Sequence, residues 1–239
     1  MSIYSDLTPW YDRLFPVGDQ QAVFLLHRLS MAEVCSVLDT GCGTGRHLEI
    51  LADAGYIVAG LEPEADMAAE ANRRLKGRGR VEVLSLQNAA QVPGAPFDVV
   101  LCLGNTLAHL LDGSALAEGL ATLARVLKPG GLFIVQLVHF EKVLREGLDP
   151  FSVKVLEDGS EFHRSYDFSR APERLGFSLR FENEAIRFEE SFDLRPWTMD
   201  ELDPAFEKHG FKIEELCGDW SGAPRQPDSP ASIILARRR

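Results

Sequence analysis

Short apolar runs alternate with helical stripes along most of this chain. Val34 to Leu38, Tyr56 to Leu61, Val81 to Leu84, Phe97 to Leu103 and Leu132 to Leu137 are nearly unbroken apolar runs. That is the pattern of strands buried on both faces. Between them, Arg46 to Ala54, Pro63 to Leu75 and the segment from Ser114 repeat apolar residues at helical spacing. Leu116, Leu120, Leu123, Val126 and Leu127 share one face, and Lys128-Pro129-Gly130-Gly131 stops that helix. Near the end, Thr198 with Glu201 three residues on is a capping box. It opens a helix that Gly210 stops after His209. Phe211–Leu216 and Ala231–Ala236 read as the last two strands, joined through a rigid loop, 218–230, that holds Trp220 and three prolines.

From Phe151 to Leu194 the period changes to two: Phe151/Val153/Val155, then Phe162 to Phe168, Phe177/Leu179/Phe181 and Ile186/Phe188, with a hairpin turn at Asp158-Gly159. This predicts an antiparallel sheet of three or four strands inserted after the fifth strand. Lys154, Glu157, His163, Arg164, Arg180 and Arg187 are placed on its outward, solvated face. Should that sheet touch a polar or anionic substrate, His163, Arg164, Tyr166 and Arg180 are the residues to look at. Ahead of the first strand, Tyr4, Trp10, Tyr11, Phe15, Phe24, Leu25 and Leu26 recur at roughly helical spacing. They predict helices that cover the sheet edge or close over a ligand.

The first strand ends at Asp39 and runs into Gly41-Cys42-Gly43-Thr44-Gly45-Arg46, after which a helix begins. Strand, glycine turn and helix form the first half of a βαβ unit, with its ligand loop at the strand's carboxyl end. The third glycine comes two residues after the second, and Arg46 holds the position that G-x-G-x-x-G gives to glycine. No Gly-Lys-Ser/Thr follows, which excludes a triphosphate loop. Asp39 would set an anion beside a phosphate, but it suits a ligand with an amine next to the loop. Glu62, at the end of the second strand, lies about 20 residues beyond the loop, where a carboxylate can hold ribose hydroxyls.

Asp-x-Gly-Cys-Gly-Thr-Gly-Arg resembles the first motif of the class I S-adenosylmethionine-dependent methyltransferases. Cys102-Leu-Gly-Asn-Thr-Leu-Ala-His109-Leu is similar to the run in glycine N-methyltransferase-like members, and Lys-Pro-Gly-Gly is frequent in the family at this point. The resemblance implies an α/β fold: a doubly wound seven-stranded Rossmann-like sheet with an antiparallel β insertion after the fifth strand. It implies an N-terminal helical cap over 1–33, a cofactor-binding methyltransferase domain over 34–140 and 195–239, and an inserted sheet over 141–194 as substrate roof or oligomer contact. The implied cofactor is S-adenosyl-L-methionine, with S-adenosyl-L-homocysteine as product.

The cofactor-binding residues expected from the resemblance and the residues together are Asp39, Gly41, Cys42, Gly43, Gly45, Arg46, Glu62, Pro63, Met67, Leu103, Gly104 and Asn105. Met67 could pack near adenine or fill core. Asn88 stands where the family usually has an aspartate that accepts from the adenine amino group, and Ala89 would offer its backbone N–H. Tyr4, Trp10 and Tyr11 are candidates to face the sulfonium. The expected reaction is in-line methyl transfer to a small molecule, with an amine nitrogen as acceptor by analogy and His109 or Tyr11 as the base. A hydroxyl acceptor, or a cofactor-binding module without catalysis, are the alternatives. No Ser/His/Asp set, carboxylate pair or metal-ligand spacing is present, and none is required when the electrophile is already activated.

Composition adds exclusions. A net charge of −11 argues against an extended nucleic-acid or anionic-membrane surface. At 239 residues and 45% hydrophobic, the chain can bury a large core. Cys35, Cys42, Cys102 and Cys217 share no paired spacing, which suggests reduced thiols and a cytoplasmic protein. No apolar run approaches about 18 residues.

Overall fold

The computed structural model describes residues 3–32, 34–147 and 151–239; the ends of the expected cap, and three positions within the expected insertion, lie outside these. The short apolar runs become a mixed seven-stranded sheet. Its first five strands are β1 (Ser36–Thr40), β2 (Ile57–Leu61), β3 (Gly79–Glu82), β4 (Phe97–Cys102) and β5 (Leu127–Val138). The last two are β10 (Phe211–Cys217) and β11 (Ala231–Arg238), and the order across the sheet is β3-β2-β1-β4-β5-β11-β10. Strands β1 to β5 are parallel, while β11 runs antiparallel to both its neighbours. Strand order reverses at β1, with β2 on one side and β4 on the other, so a crevice opens at their carboxyl ends.

Helices α4 (Arg46–Asp53), α5 (Ala65–Leu75) and α6 (Gly113–Val126) cover the sheet. Asp112 caps α6, its Oδ1 accepting the N–H groups of Ser114 and Ala115 at 2.9 Å each. The fifth strand begins earlier than the Pro-Gly-Gly stop suggests. Leu127 pairs with Phe97, the chain bulges through the Pro-Gly-Gly run, and pairing resumes at Leu132 opposite Val99. The third strand sits two residues early and opens at Gly79, which packs on Val58 so closely that the Val58 backbone oxygen would lie 2.7 Å from an added Cβ. The capping box at Thr198 and Glu201 forms as expected and opens α8 (Met199–Lys208).

Strand β5 leads through α7 (Phe140–Glu146) into a second, antiparallel sheet: β6 (Lys154–Val155), β7 (Glu161–Asp167), β8 (Leu175–Glu182) and β9 (Arg187–Leu194). Its inner face carries Phe162, Tyr166, Phe177, Leu179, Phe181, Phe188 and Phe192. Lys154, opposite Phe162 and donating to the Arg13 and Leu14 carbonyls of the covering segment, corrects the expectation of an outward position, and so does Arg164. It shares the face of Phe162 and Tyr166, and its guanidinium lies over the rings of Phe151 (4.5 Å) and Phe162 (5.6 Å). His163 and Arg180 do face outward and bond each other at 3.2 Å. Glu161 and Glu182 join them in an ion-pair network that Arg187 extends. Of the four residues suggested for a polar substrate, Tyr166 is packed among Phe151, Phe168 and Phe177, and none borders the crevice.

Helices α1 (Ile3–Leu7) and α2 (Tyr11–Leu14) cover the inner face of that sheet, and α3 (Asp19–Met31) leads from them to β1. Ile3, Leu7 and Leu14 form one apolar cluster with Phe162, Leu179 and Phe181. The opposite sides of α1 and α2 hold the core by polar contacts. Ser5 donates to Glu64, while Asp12 accepts the Thr44 hydroxyl at 2.5 Å and is paired with Arg74. No helix among the described residues is long and apolar enough to cross a membrane.

Candidate active site

The crevice at the carboxyl ends of β1, β2 and β4 is a cavity of about 510 Å³, within the size range of cofactor pockets. Its floor is the glycine loop. Gly41, Gly43 and Gly45 all have positive φ (75°, 55° and 78°), a region that side chains penalise. Two of them also have no room for a Cβ: at Gly41 it would meet the Thr106 side chain at 2.7 Å, and at Gly45 the Ala71 Cβ at 2.8 Å. Gly43 lies under the Tyr11 ring, 3.2 Å from where its Cβ would stand. A loop so constrained presents bare backbone to whatever fills the cavity.

Two buried acids border that loop. Asp39 is 1% exposed and its Oδ2 has no hydrogen-bond partner. Burial, with Glu62 nearby, pushes its carboxyl up to about 7. Glu62 is 6% exposed; Oε2 accepts the Gly43 N–H at 2.8 Å and Oε1 the Glu64 N–H at 3.1 Å. Burial raises its pKa as well, and the two N–H groups oppose that rise. Each oxygen keeps a further lone pair, and Glu62 lines the cavity.

On the far wall, Gly104 is open to the cavity, with nothing within 4 Å of an added Cβ, and its N–H donates to Gln136 Oε1 at 2.8 Å. His109 ends the short 3-10 turn Thr106–His109. Its ring stacks on Phe192 with centroids 5.4 Å apart and meets the Tyr4 edge at 6.4 Å. The protein around it lowers its pKa below the ordinary histidine value. Tyr4 and Tyr11 close the cavity from above, and burial holds both phenols protonated far beyond neutral pH.

Of the residues named from sequence, Tyr4, Tyr11, Asp39, Gly41, Cys42, Gly43, Arg46, Glu62, Pro63, Met67, Leu103, Gly104 and His109 come together around this cavity. Five do not border it. Trp10 turns to the inserted sheet and packs on Phe181 at 4.8 Å and Phe188 at 6.4 Å. Gly45 is under Ala71. Asn88 points to solvent and bonds Ser85 and Gln91, while Ala89 is buried in the core. Asn105 braces β5, accepting the Val138 N–H at 2.7 Å. Residues that the sequence reading passed over are Gln21, Thr44, His47, Ser85, Gln87 and Gln136. Gln136 had a signal, being the lone polar residue in the apolar run Leu132–Leu137. His47 had none beyond its place after Arg46.

An α/β sheet with its ligand crevice at the switch point, a phosphate-unfriendly glycine loop and an acid at each of two neighbouring strand ends defines a class of adenosyl-cofactor proteins. Comparison with known proteins specifies it. Residues 37–131 match the methyltransferase domain family. The chain is 29% identical over 206 residues to the dTDP-3-amino-3,6-dideoxy-alpha-D-glucopyranose N,N-dimethyltransferase of Streptomyces fradiae, covering 82% of this chain and 78% of that one. It is 25% identical over 244 residues to the glycine/sarcosine N-methyltransferase of Halorhodospira halochloris, covering 98% and 85%. In fold it is similar to an S-adenosylmethionine-dependent methyltransferase from Clostridium acetobutylicum, with a TM-score of 0.84, 16% identity and 99% of each chain covered. Residues 37–131 carry a methyltransferase domain; the chain is an S-adenosylmethionine-dependent methyltransferase, and S-adenosylmethionine is its cofactor. The cavity fits that group: it has an orphaned, buried carboxylate oxygen at Asp39 and a glycine cradle that a Cβ would fill.

Proposed function

We propose that this enzyme transfers the methyl group to an amine nitrogen of a small molecule, with the cofactor lying across the glycine loop. Asp39 faces its ammonium and Glu62 its ribose hydroxyls. The main chain at Gly41 to Gly43 and the side of Met67 pack against it, and Ser85, Leu86 and Gln87 border the cavity where Asn88 and Ala89 were expected. When bound, S-adenosylmethionine supplies an electrophilic methyl on a positively charged sulfur.

The observation that carries the nitrogen reading is His109. It is a histidine kept neutral by its surroundings, on the cavity wall five residues past Gly104 and beside Tyr4. An amine acceptor arrives protonated and must lose that proton before it can attack, so a neutral imidazole at the cavity wall has a defined task. Tyr11 cannot share it, because its phenol stays protonated; its ring and hydroxyl close the cavity over Gly43 and exclude water. The two similar curated relatives are both named as N-methyltransferases, one of an amino sugar nucleotide and one of glycine and sarcosine, which supports the same reading. The test is incubation of the purified chain with labelled S-adenosylmethionine and a panel of small amines, amino sugars and phenols. Label transferred to amines and not to hydroxyl-only compounds supports it, and the reverse pattern overturns it.

A further inference from the structure

One end of the cavity holds a side-chain pair that neither the family motif nor the proposed chemistry uses. Gln21, in the first turn of α3, places its amide nitrogen 2.8 Å from His47 Nε2. An amide nitrogen only donates, so Nε2 must accept, and a neutral ring then carries its proton on Nδ1. Burial, with Arg46 adjacent, keeps the ring neutral at physiological pH, its pKa pushed down to about 4. Nδ1 lies 3.8 Å from the orphaned Oδ2 of Asp39, a separation longer than a hydrogen bond. Gln21, His47 and Asp39 all border the cavity. A neutral N–H donor therefore stands beside a buried carboxyl acceptor, the pattern that complements the carboxylate and ammonium of an amino acid once Asp39 is charged. Arg46 is a poorer candidate for the carboxylate. Its guanidinium is bonded to Glu49 at 2.6 Å and its side chain is 43% exposed.

We infer that His47, held in its Nδ1–H tautomer by Gln21, binds the carboxylate at the amino-acid end of the cofactor. The inference rests on the proposed placement of Asp39 against the ammonium. It adds a donor from α4 and, through Gln21, ties the N-terminal helices to recognition of the cofactor's free amino acid.

The test compares ligands that differ at that end alone: S-adenosylhomocysteine and its decarboxylated analogue, measured by calorimetry. For the native chain the homocysteine ligand should bind more tightly. His47→Phe should weaken S-adenosylhomocysteine by about 10- to 100-fold, the size of a hydrogen bond to a charged group, and leave the decarboxylated ligand unchanged. His47→Gln, whose amide can donate, should recover part of the loss. Gln21→Glu, which must accept at Nε2, should move the ring proton to that nitrogen, visible by nitrogen NMR, and should reproduce the selective loss. Equal weakening of both ligands in His47→Phe, no weakening of either, or an Nε2–H tautomer in the native chain would each overturn the inference. Asp39→Asn reports separately on the underlying placement, because both ligands keep the ammonium and both should weaken. If they do not, the Asp39 reading fails whatever His47 shows.

Discussion

Glu62 Oε2 accepts the backbone N–H of Gly43 at 2.8 Å, so the acid at the end of β2 shapes the glycine loop that follows β1 as well as facing the cavity. Its second oxygen holds the N–H of Glu64, fixing the turn into α5. Truncation should therefore cost stability and affinity together. Glu62→Ala leaves the buried Gly43 N–H unpaired, a loss of roughly 1–3 kcal/mol, and the part-buried Glu64 N–H with it, at a smaller cost. Denaturant unfolding should show that loss, and calorimetry should show cofactor binding reduced beyond about 100-fold. Glu62→Gln keeps one acceptor and should fall between. A Glu62→Ala chain of native stability would show that the loop does not lean on this carboxylate.

With Asp39 placed against the cofactor's ammonium as proposed, cofactor affinity should depend on pH. Its folded pKa, about 7, lies above the ordinary 3.8. The unliganded fold thus takes up a proton that the unfolded chain does not hold between those values. Asp39 contributes stability that is fully present below about 4 and lost as pH rises through about 7. The cofactor's ammonium favours the charged carboxylate, so affinity for S-adenosylhomocysteine should rise with pH and level off above about 7, with proton release on binding at pH 6. Asp39→Asn should flatten both the affinity profile and the pH slope of unliganded stability. Calorimetry in buffers of different ionisation enthalpy checks the proton count.

Asp12 joins the closing helices to the cofactor loop. Its carboxylate accepts from Thr44 and is paired with Arg74, while the other side of the same segment stays on the inserted sheet through Ile3, Leu7 and Leu14. Asp12→Ala should leave the fold intact, because Arg74 keeps Glu49 at 3.3 Å and Glu70 at 3.5 Å. It should loosen the cover over Gly43. Cofactor affinity should fall by about 5- to 30-fold, corresponding to roughly 1–2 kcal/mol, and trypsin should cut at Arg13 faster. Unchanged proteolysis and affinity would show that the apolar cluster alone holds the cover shut.

The strands and the insertion were legible because their signals are periodic: unbroken apolar runs for the parallel core, alternation for the second sheet. Side-chain direction was legible only where the period continues. In β7 the parity of Phe162, Arg164 and Tyr166 placed Arg164 inward, and only its charge suggested otherwise. In the N-terminal segment the helical phase breaks between α1 and α2, so Trp10 turns to the sheet while Tyr4 and Tyr11 face the cavity. The 3-10 turn Leu86–Gln91 likewise rotates Asn88 outward and leaves Ser85 and Gln87 at the cavity. Counting along a loop cannot reveal that rotation. Gln21 and His47 meet through tertiary packing of α3 on α4, 26 positions apart in sequence.

On the proposed reading, His109 as base is separable from the binding residues by its variants. Its ring lies on the wall beyond Gly104, stacked on Phe192 and beside Tyr4 but open to the cavity, and partial loss of solvent lowers its pKa below 6.5. A depressed histidine pKa keeps the ring neutral, and able to accept a proton, throughout the neutral range. With cofactor saturating, so that Asp39 no longer contributes, turnover should hold steady near pH 7 and fall only as pH drops through the lowered value. His109→Gln preserves ring-sized bulk and a hydrogen-bonding group but cannot take a proton at these pH values. It should lower kcat by about 10²- to 10⁴-fold, leave S-adenosylhomocysteine affinity nearly unchanged, and replace the acidic limb with a dependence set by the acceptor amine itself. An acceptor already deprotonated at the assay pH should lose much less. If His109→Gln instead weakens cofactor binding and leaves kcat intact, the ring is a packing element under the cofactor, and the amine must lose its proton to water before it enters.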